Sequence, residues 1–133
     1  MEYSTHIWGG STHTAILEKV ESRAFRLINS PALTNPLQSL SSRRIVASLS
    51  LYYRYYNGHC SSELSRCIPP PLRRARATRL STQSHPFSVQ LSDPRLSRYA
   101  HSYMYSTGKV SNTLPLSVFP TSYDLHTFKC RVS

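Results

Sequence analysis

Acidic residues are scarce: six Asp and Glu stand against sixteen Lys and Arg, for a formal charge of +10. Asp93 and Asp124 are the only aspartates, 31 positions apart, and neither neighbours another carboxylate. A two-metal phosphoryl-transfer centre needs several acidic ligands holding cations about 4 Å apart, so this spacing argues against polymerase or nuclease chemistry. Ser, His and Cys occur without a nucleophile elbow or a local triad pattern, and no enzymatic activity or cofactor is expected. Long apolar runs are also lacking. The longest, Ile45 to Tyr53, has nine residues including two serines, against the roughly 20 that span a bilayer, so neither a transmembrane helix nor a membrane partner is expected. The three cysteines Cys60, Cys67 and Cys130 cannot all pair within one chain. With no apolar leader before them, an intracellular, reduced chain is the expectation. His59, Cys60, Cys67 and Cys130 are possible zinc ligands by type, but Cys60 and Cys67 stand too far apart for a zinc knuckle, whose cysteines are separated by two to four residues, and there is no second close pair.

What is abundant is arginine, thirteen of the sixteen cations. Residues 1 to 21 hold Glu2, Glu18 and Glu21 against Lys19, so the 112 residues that follow carry a formal +12. Such a field draws polyanions by counterion release and long-range steering, which makes nucleic acid, RNA or an RNA–DNA hybrid, the first partner to consider. Nothing suggests a small-molecule substrate.

Periodicity defines the expected fold. Residues 1 to 10, with Tyr3, Ile7 and Trp8 before Gly9-Gly10, read as a lone strand. Leu17, Val20, Ala24, Phe25, Leu27 and Ile28 recur at three- and four-residue intervals opposite Glu18, Lys19, Glu21, Ser22, Arg23 and Arg26, which predicts an amphipathic helix over about 12–29. Pro31 and Pro36 separate it from a second helix over about 37–56, where Leu40, Ile45, Leu49, Tyr52 and Tyr56 form one face with Val46 and Tyr53 beside them. Asn57-Gly58 supplies a left-handed exit. The two stripes are expected to pack together as a helical hairpin. A single helical turn through Leu64 follows, then Pro69-Pro70-Pro71. Beyond these, Phe87, Val89 and Leu91 alternate as a short strand, residues 94–120 show no clean period, and Leu125, Phe128 and Val132 predict a short final helix. The fold class is therefore mainly α: a two-helix hairpin within residues 1–68, and a basic, Pro-rich, largely irregular tail over 69–133 with one or two short strands and a short C-terminal helix.

Tyr52-Tyr53-Arg54-Tyr55-Tyr56 could stack single-stranded bases, yet Tyr52 and Tyr56 fall on the apolar stripe, and core packing is the stronger reading. The better phosphate candidates are Arg73, Arg74, Arg76 and Arg79, since guanidinium forks match phosphate oxygens and no carboxylate lies nearby in sequence. Arg43, Arg44 and Arg54 are secondary candidates. Thr107-Gly108-Lys109 has the ending of a phosphate loop, but the earlier glycine is missing and Val110 stands where a hydroxyl is needed.

Several stretches taken in order resemble the region downstream of the catalytic palm in jockey-like non-LTR retrotransposon reverse transcriptases. They are Met1 to Gly10, Ile16 to Ile28, Leu40 to Gly58, Arg76 to Arg79, Thr107 to Lys109, Asn112 to Pro115 and Leu125 to Lys129. The resemblance implies a helical, basic thumb and post-thumb segment lying near a template–primer duplex. It also implies that the catalytic aspartates of the Tyr-x-Asp-Asp turn belong to a palm preceding Met1, so none carries over. The chain departs from the family at Val110-Ser111, where an aromatic usually stands beside the asparagine. The expectation is a non-catalytic fragment or remnant of such an enzyme that binds nucleic acid nonspecifically through arginines. The alternatives are a small helical protein-interaction module, or a chain with no independent function.

Overall fold

The computed structural model describes residues 13–72, 85–93 and 95–133. The lone strand suggested over residues 1–10 and the arginine run at Arg73, Arg74, Arg76 and Arg79 lie outside them. The described chain is mainly helical: α1 (Thr14–Ile28), α2 (Pro31–Thr34), α3 (Leu40–Tyr56), α4 (Ser62–Arg66), α5 (Ser97–Ala100), α6 (Tyr103–Thr113), a 3-10 turn (Leu116–Val118) and α7 (Leu125–Val132).

Local chemistry sets the boundaries. α1 ends at Asn29, whose left-handed φ of 44° returns its N–H to the Phe25 carbonyl, a conformation asparagine tolerates better than most residues. Ser30 is extended ahead of Pro31, which opens α2 at a position where a missing N–H does no harm. α3 starts at Leu40 rather than at about residue 37, because the Ser39 hydroxyl accepts the Ser42 N–H and so fixes the first turn. At its far end Gly58 takes φ 73°, the expected left-handed exit. The helical turn after it forms as Ser62–Arg66, and the expected final helix forms as Leu125–Val132.

α3 is the axis of the core. Leu49 and Tyr53 from it pack with Val118, Phe119 and Phe128, and Phe87, Leu114, Leu125 and Val132 close the cluster. The core therefore draws on both sides of residue 68. Tyr53 lies flat on Phe128 with ring centroids 4.3 Å apart and an interplanar angle of 8°, and Phe119 stacks on Phe87 at 4.7 Å. Tyr52 is buried and Tyr56 half-buried against Phe87, as the helical period predicts. Ile45, expected on the same face, is 47% exposed.

In the second half of the chain two features differ from the sequence reading. Residues 103–113, where no period is visible, form the 11-residue helix α6. Its inward face is Thr107, Gly108 and Ser111, small residues rather than an apolar stripe, so periodicity had nothing to register. At Gly108 a Cβ would sit 3.2 Å from both the Tyr52 hydroxyl and a Leu91 methyl, so a side chain there would require these neighbours to give by a few tenths of an ångström. The helix is tied to α3 by the Tyr103 hydroxyl, which donates to the Ser48 carbonyl, and burial pushes the ionisation of Tyr103 well above the usual phenol range.

The second difference is the strand expected at 87–91. Among the described residues it amounts to one antiparallel bridge, Pro71 to Val89, flanked by Leu72 N–H to Ser88 C=O and Gln90 N–H to Pro70 C=O. Pro69 to Pro71 carry no N–H, so the pairing cannot extend into a ladder. The other edge of Val89 is held by a side chain. Asn112 accepts the Val89 N–H and donates to the Val89 carbonyl, both at 2.9 Å, and so imitates a neighbouring strand.

Phe128→Ala is expected to destabilise the chain by about 3–5 kcal/mol, the usual range for deleting a buried phenyl. Asn112→Ala should cost about 1–3 kcal/mol, because it strands the amide of Val89, a residue 1% exposed. Urea unfolding midpoints measure both, and a wild-type midpoint in either variant contradicts the packing described here.

Candidate nucleic-acid interface

The three candidate arginines of α3 fare differently although they share one helix. Arg43 and Arg54 are exposed. Eleven residues separate them, close to three helical turns, so they lie on nearly the same face about 16 Å apart along the axis. Arg44 is one residue on from Arg43 and points elsewhere. It is buried, and its Nη2 donates to Glu18 Oε1 at 2.6 Å as the ion pair that joins α3 to α1. The structure therefore gives Arg44 a packing role in place of phosphate contact. Arg73, Arg74, Arg76 and Arg79 lie outside the described residues.

The carboxylates explain which cations remain outward. Glu21 Oε1 accepts the Leu40 N–H at 2.8 Å, so a side chain from α1 caps the open end of α3 from across the interface. Glu18 holds Arg44. Asp124 is the N-cap of α7: its Oδ1 accepts the N–H groups of His126 and Thr127, and its Oδ2 accepts the Thr127 hydroxyl. These bonds hold the Asp124 carboxyl below its ordinary value of 3.8, with the Thr127 hydroxyl as the leading cause. Glu63, in the first turn of α4, is lowered too, chiefly by its own backbone amide and then by the Ser62 hydroxyl. Four of the six acids are thus engaged at or between helices. Around them the exposed cations include Lys19, Arg23, Arg26, Arg43, Arg54, Arg66, Arg95, Lys109, Lys129 and Arg131.

The tyrosine cluster of α3 serves packing. Tyr52 and Tyr53 are each 3% exposed, Tyr55 meets Tyr103 edge-on, and burial raises the ionisation of Tyr52, Tyr53 and Tyr56 above the phenol range. The exposed stack lies elsewhere, on a pair that sequence reading did not single out. His59 lies against Tyr123 at 3.7 Å and 19°, and Tyr123 continues onto Tyr53 at 5.4 Å. The two residues are 64 positions apart, and no local pattern links them.

Thr107-Gly108-Lys109 lies inside α6 with Thr107 and Gly108 buried, so its backbone amides are used by the helix and cannot cradle a phosphate. Cys60 contacts the Ser65 hydroxyl and Cys67 the Glu63 carbonyl. Among the described residues no three His, Cys, Asp or Glu side chains gather as a metal site. No described helix is long and apolar enough to cross a membrane. No family model, curated protein or solved structure matches the chain.

The Asp124 cap generates a pH dependence with a definite sign. Its folded pKa lies below the ordinary value, so the stability it contributes is complete above about pH 3.8 and is lost as pH falls through the folded pKa. Asp124→Asn keeps a capping side chain but has no proton to bind, and its melting temperature should fall less steeply than wild type's over that acid range. Parallel thermal melts from neutral pH downward measure this, and identical acid limbs contradict it.

Proposed function

We propose that the chain is a non-catalytic nucleic-acid-binding segment, of the kind that follows the palm in non-LTR retrotransposon reverse transcriptases. In this reading it binds the phosphate backbone of RNA or an RNA–DNA hybrid without sequence preference. The observation that carries the reading is the division of charge. Glu18, Glu21 and Asp124 are engaged in pairing α1 with α3 and in capping α7, while exposed cations cover the surface. Residues 22–133 carry a formal +12. Arginine suits this role because its planar fork pairs with phosphate oxygens through two N–H groups.

The contacts assigned are Arg43 and Arg54 on α3, together with Arg73, Arg74, Arg76 and Arg79. Such contacts fix position on the backbone and carry no sequence information, so affinity is governed by salt and sequence has little influence. The ordered run of stretches that resemble the retrotransposon enzymes supports the class of nucleic acid. The alternative of a protein-interaction module is favoured by a different observation, the outward apolar face of α1, and that face can coexist with phosphate binding.

Filter binding to a short RNA–DNA hybrid over a salt series is the test. The logarithm of affinity should fall linearly with the logarithm of salt, with a slope of about 0.9 per phosphate contacted. Replacing Arg43 and Arg54 by Ala should lower the slope by about 2, and replacing the four arginines of the 73–79 run by about 4, whatever the base sequence. Absence of binding at low salt, or binding with a flat salt response, rejects the proposal.

A further inference from the structure

The helical hairpin forms, but α1 is rotated from the sequence expectation: of its apolar stripe Leu17 and Phe25 are half-buried, while Val20, Ala24, Leu27 and Ile28 are exposed. Its polar contacts to α3 are made by two acids, Glu18 to Arg44 at 2.6 Å and Glu21 to the Leu40 N–H at 2.8 Å. No residue of α1 is buried, and Val20 and Leu27 of that stripe are 55% and 81% exposed, joined on the outward side by Ile16 at 56%.

The outward residues have a register. Ile16, Val20, Arg23 and Leu27 follow one another at intervals of four, three and four, the spacing of the d and a positions of a coiled coil. Lys19 and Arg26 each precede an a position and so occupy g. These six side chains together line one shallow concavity on the surface. The face is therefore half of a helix–helix seam, apolar along its line, with one arginine set into it and cations along one flank. No carboxylate among the described residues neutralises the cations, because Glu18 and Glu21 are engaged on the opposite side of the helix.

We infer that this face docks an acidic amphipathic helix, with apolar residues at its own a and d positions and Asp or Glu at the flanking ones. Charge complementarity selects that occupant. A second copy of the chain would bring two molecules of formal charge +10 together and set Arg23, Lys19 and Arg26 against a like-charged seam. An anionic bilayer would take the apolar row, but it offers Arg23 no fixed carboxylate within that row. A nucleic-acid strand would satisfy the cations and leave Ile16, Val20 and Leu27 exposed. A partner helix satisfies both, and α1 is already fixed on α3 before the partner arrives, which reduces the ordering needed on binding. The inference is independent of the nucleic-acid reading, since Ile16, Val20 and Leu27 play no part in that one.

Fluorescence anisotropy of a labelled probe peptide against the full chain is the test. The probe has about three heptads, with Leu at a and d and Glu at e and g, and its counterpart carries Lys in place of Glu. The glutamate probe should bind and the lysine probe should not. Leu27→Asp changes a side chain that touches little else, so circular dichroism of the variant should match wild type while glutamate-probe affinity falls by about tenfold or more. The double variant Lys19→Glu with Arg26→Glu should exchange the preference and take up the lysine probe. Equal binding of the two probes, unchanged affinity in Leu27→Asp, or a charge reversal that fails to exchange the preference each overturns the inference. So does Leu27-dependent dimerisation, or Leu27-dependent pelleting with phosphatidylserine vesicles when the glutamate probe does not bind. Salt-dependent hybrid binding should survive in Leu27→Asp, so the two proposals can fail separately.

Discussion

The contact on which the rest of the fold depends is the flat stack of Tyr53 on Phe128. It joins positions 75 residues apart, and both rings are almost wholly withdrawn from solvent. Closing so long a loop is entropically unfavourable, but the penalty grows only with the logarithm of length, and burial of two large rings offsets it. Once α7 is seated on α3, the 3-10 turn ahead of it delivers Val118 and Phe119 into the same cluster. Phe119 in turn positions Phe87, and the segment around Val89 is brought within reach of Asn112 on α6. The second half of the chain is thereby tied to the first by a succession of ring contacts, although its own sequence is rich in proline and serine.

How much of this was legible depended on how each helix earns its place. α1, α3 and α7 carry apolar residues at helical spacing, and each lies within a few residues of its expected position. α6 does not, because closeness of backbones substitutes for an apolar stripe. Gly108 lets α6 approach Tyr52, and Thr107 and Ser111 are small enough to follow. A hydrophobic period records which residues avoid water and is blind to a surface that is buried because it is small. The strand at 87–91 was misjudged for a related reason: alternation was present, but the neighbouring chain at Pro69 to Pro71 lacks donors, and the bond that fixes Val89 comes from a side chain.

The candidate site was less legible than the fold, and the pair Arg43 and Arg44 shows why. They are adjacent, of the same type, and equivalent to any measure of sequence charge. A step of about 100° around the helix separates them, and that step places one in solvent and the other against Glu18. Which of the two is buried follows from the position of a carboxylate 26 residues earlier. The same holds for the rings: Tyr52 and Tyr53 were taken by the core, while an exposed stack arose from His59 and Tyr123, which no spacing connects.

The orientation of α1 follows from what α3 could offer it. The start of α3 exposes N–H groups that need an acceptor and a guanidinium that needs an anion, and both are more costly to leave unmet near a core than an aliphatic side chain is to leave in water. Glu21 and Glu18 stand one turn apart on α1, at the interval that serves the Leu40 amide and Arg44 together. Satisfying both fixes the rotation of the helix and carries Ile16, Val20 and Leu27 to the outside. Rotating α1 to bury those three would gain aliphatic burial of about 1.5–3 kcal/mol each at most, at the loss of a tertiary cap, of the ion pair to a buried arginine, and of the burial Leu17 and Phe25 now have. The apolar face is thus presented to solvent because the acids have prior partners, and among the described residues no carboxylate pairs with the cations along its flank.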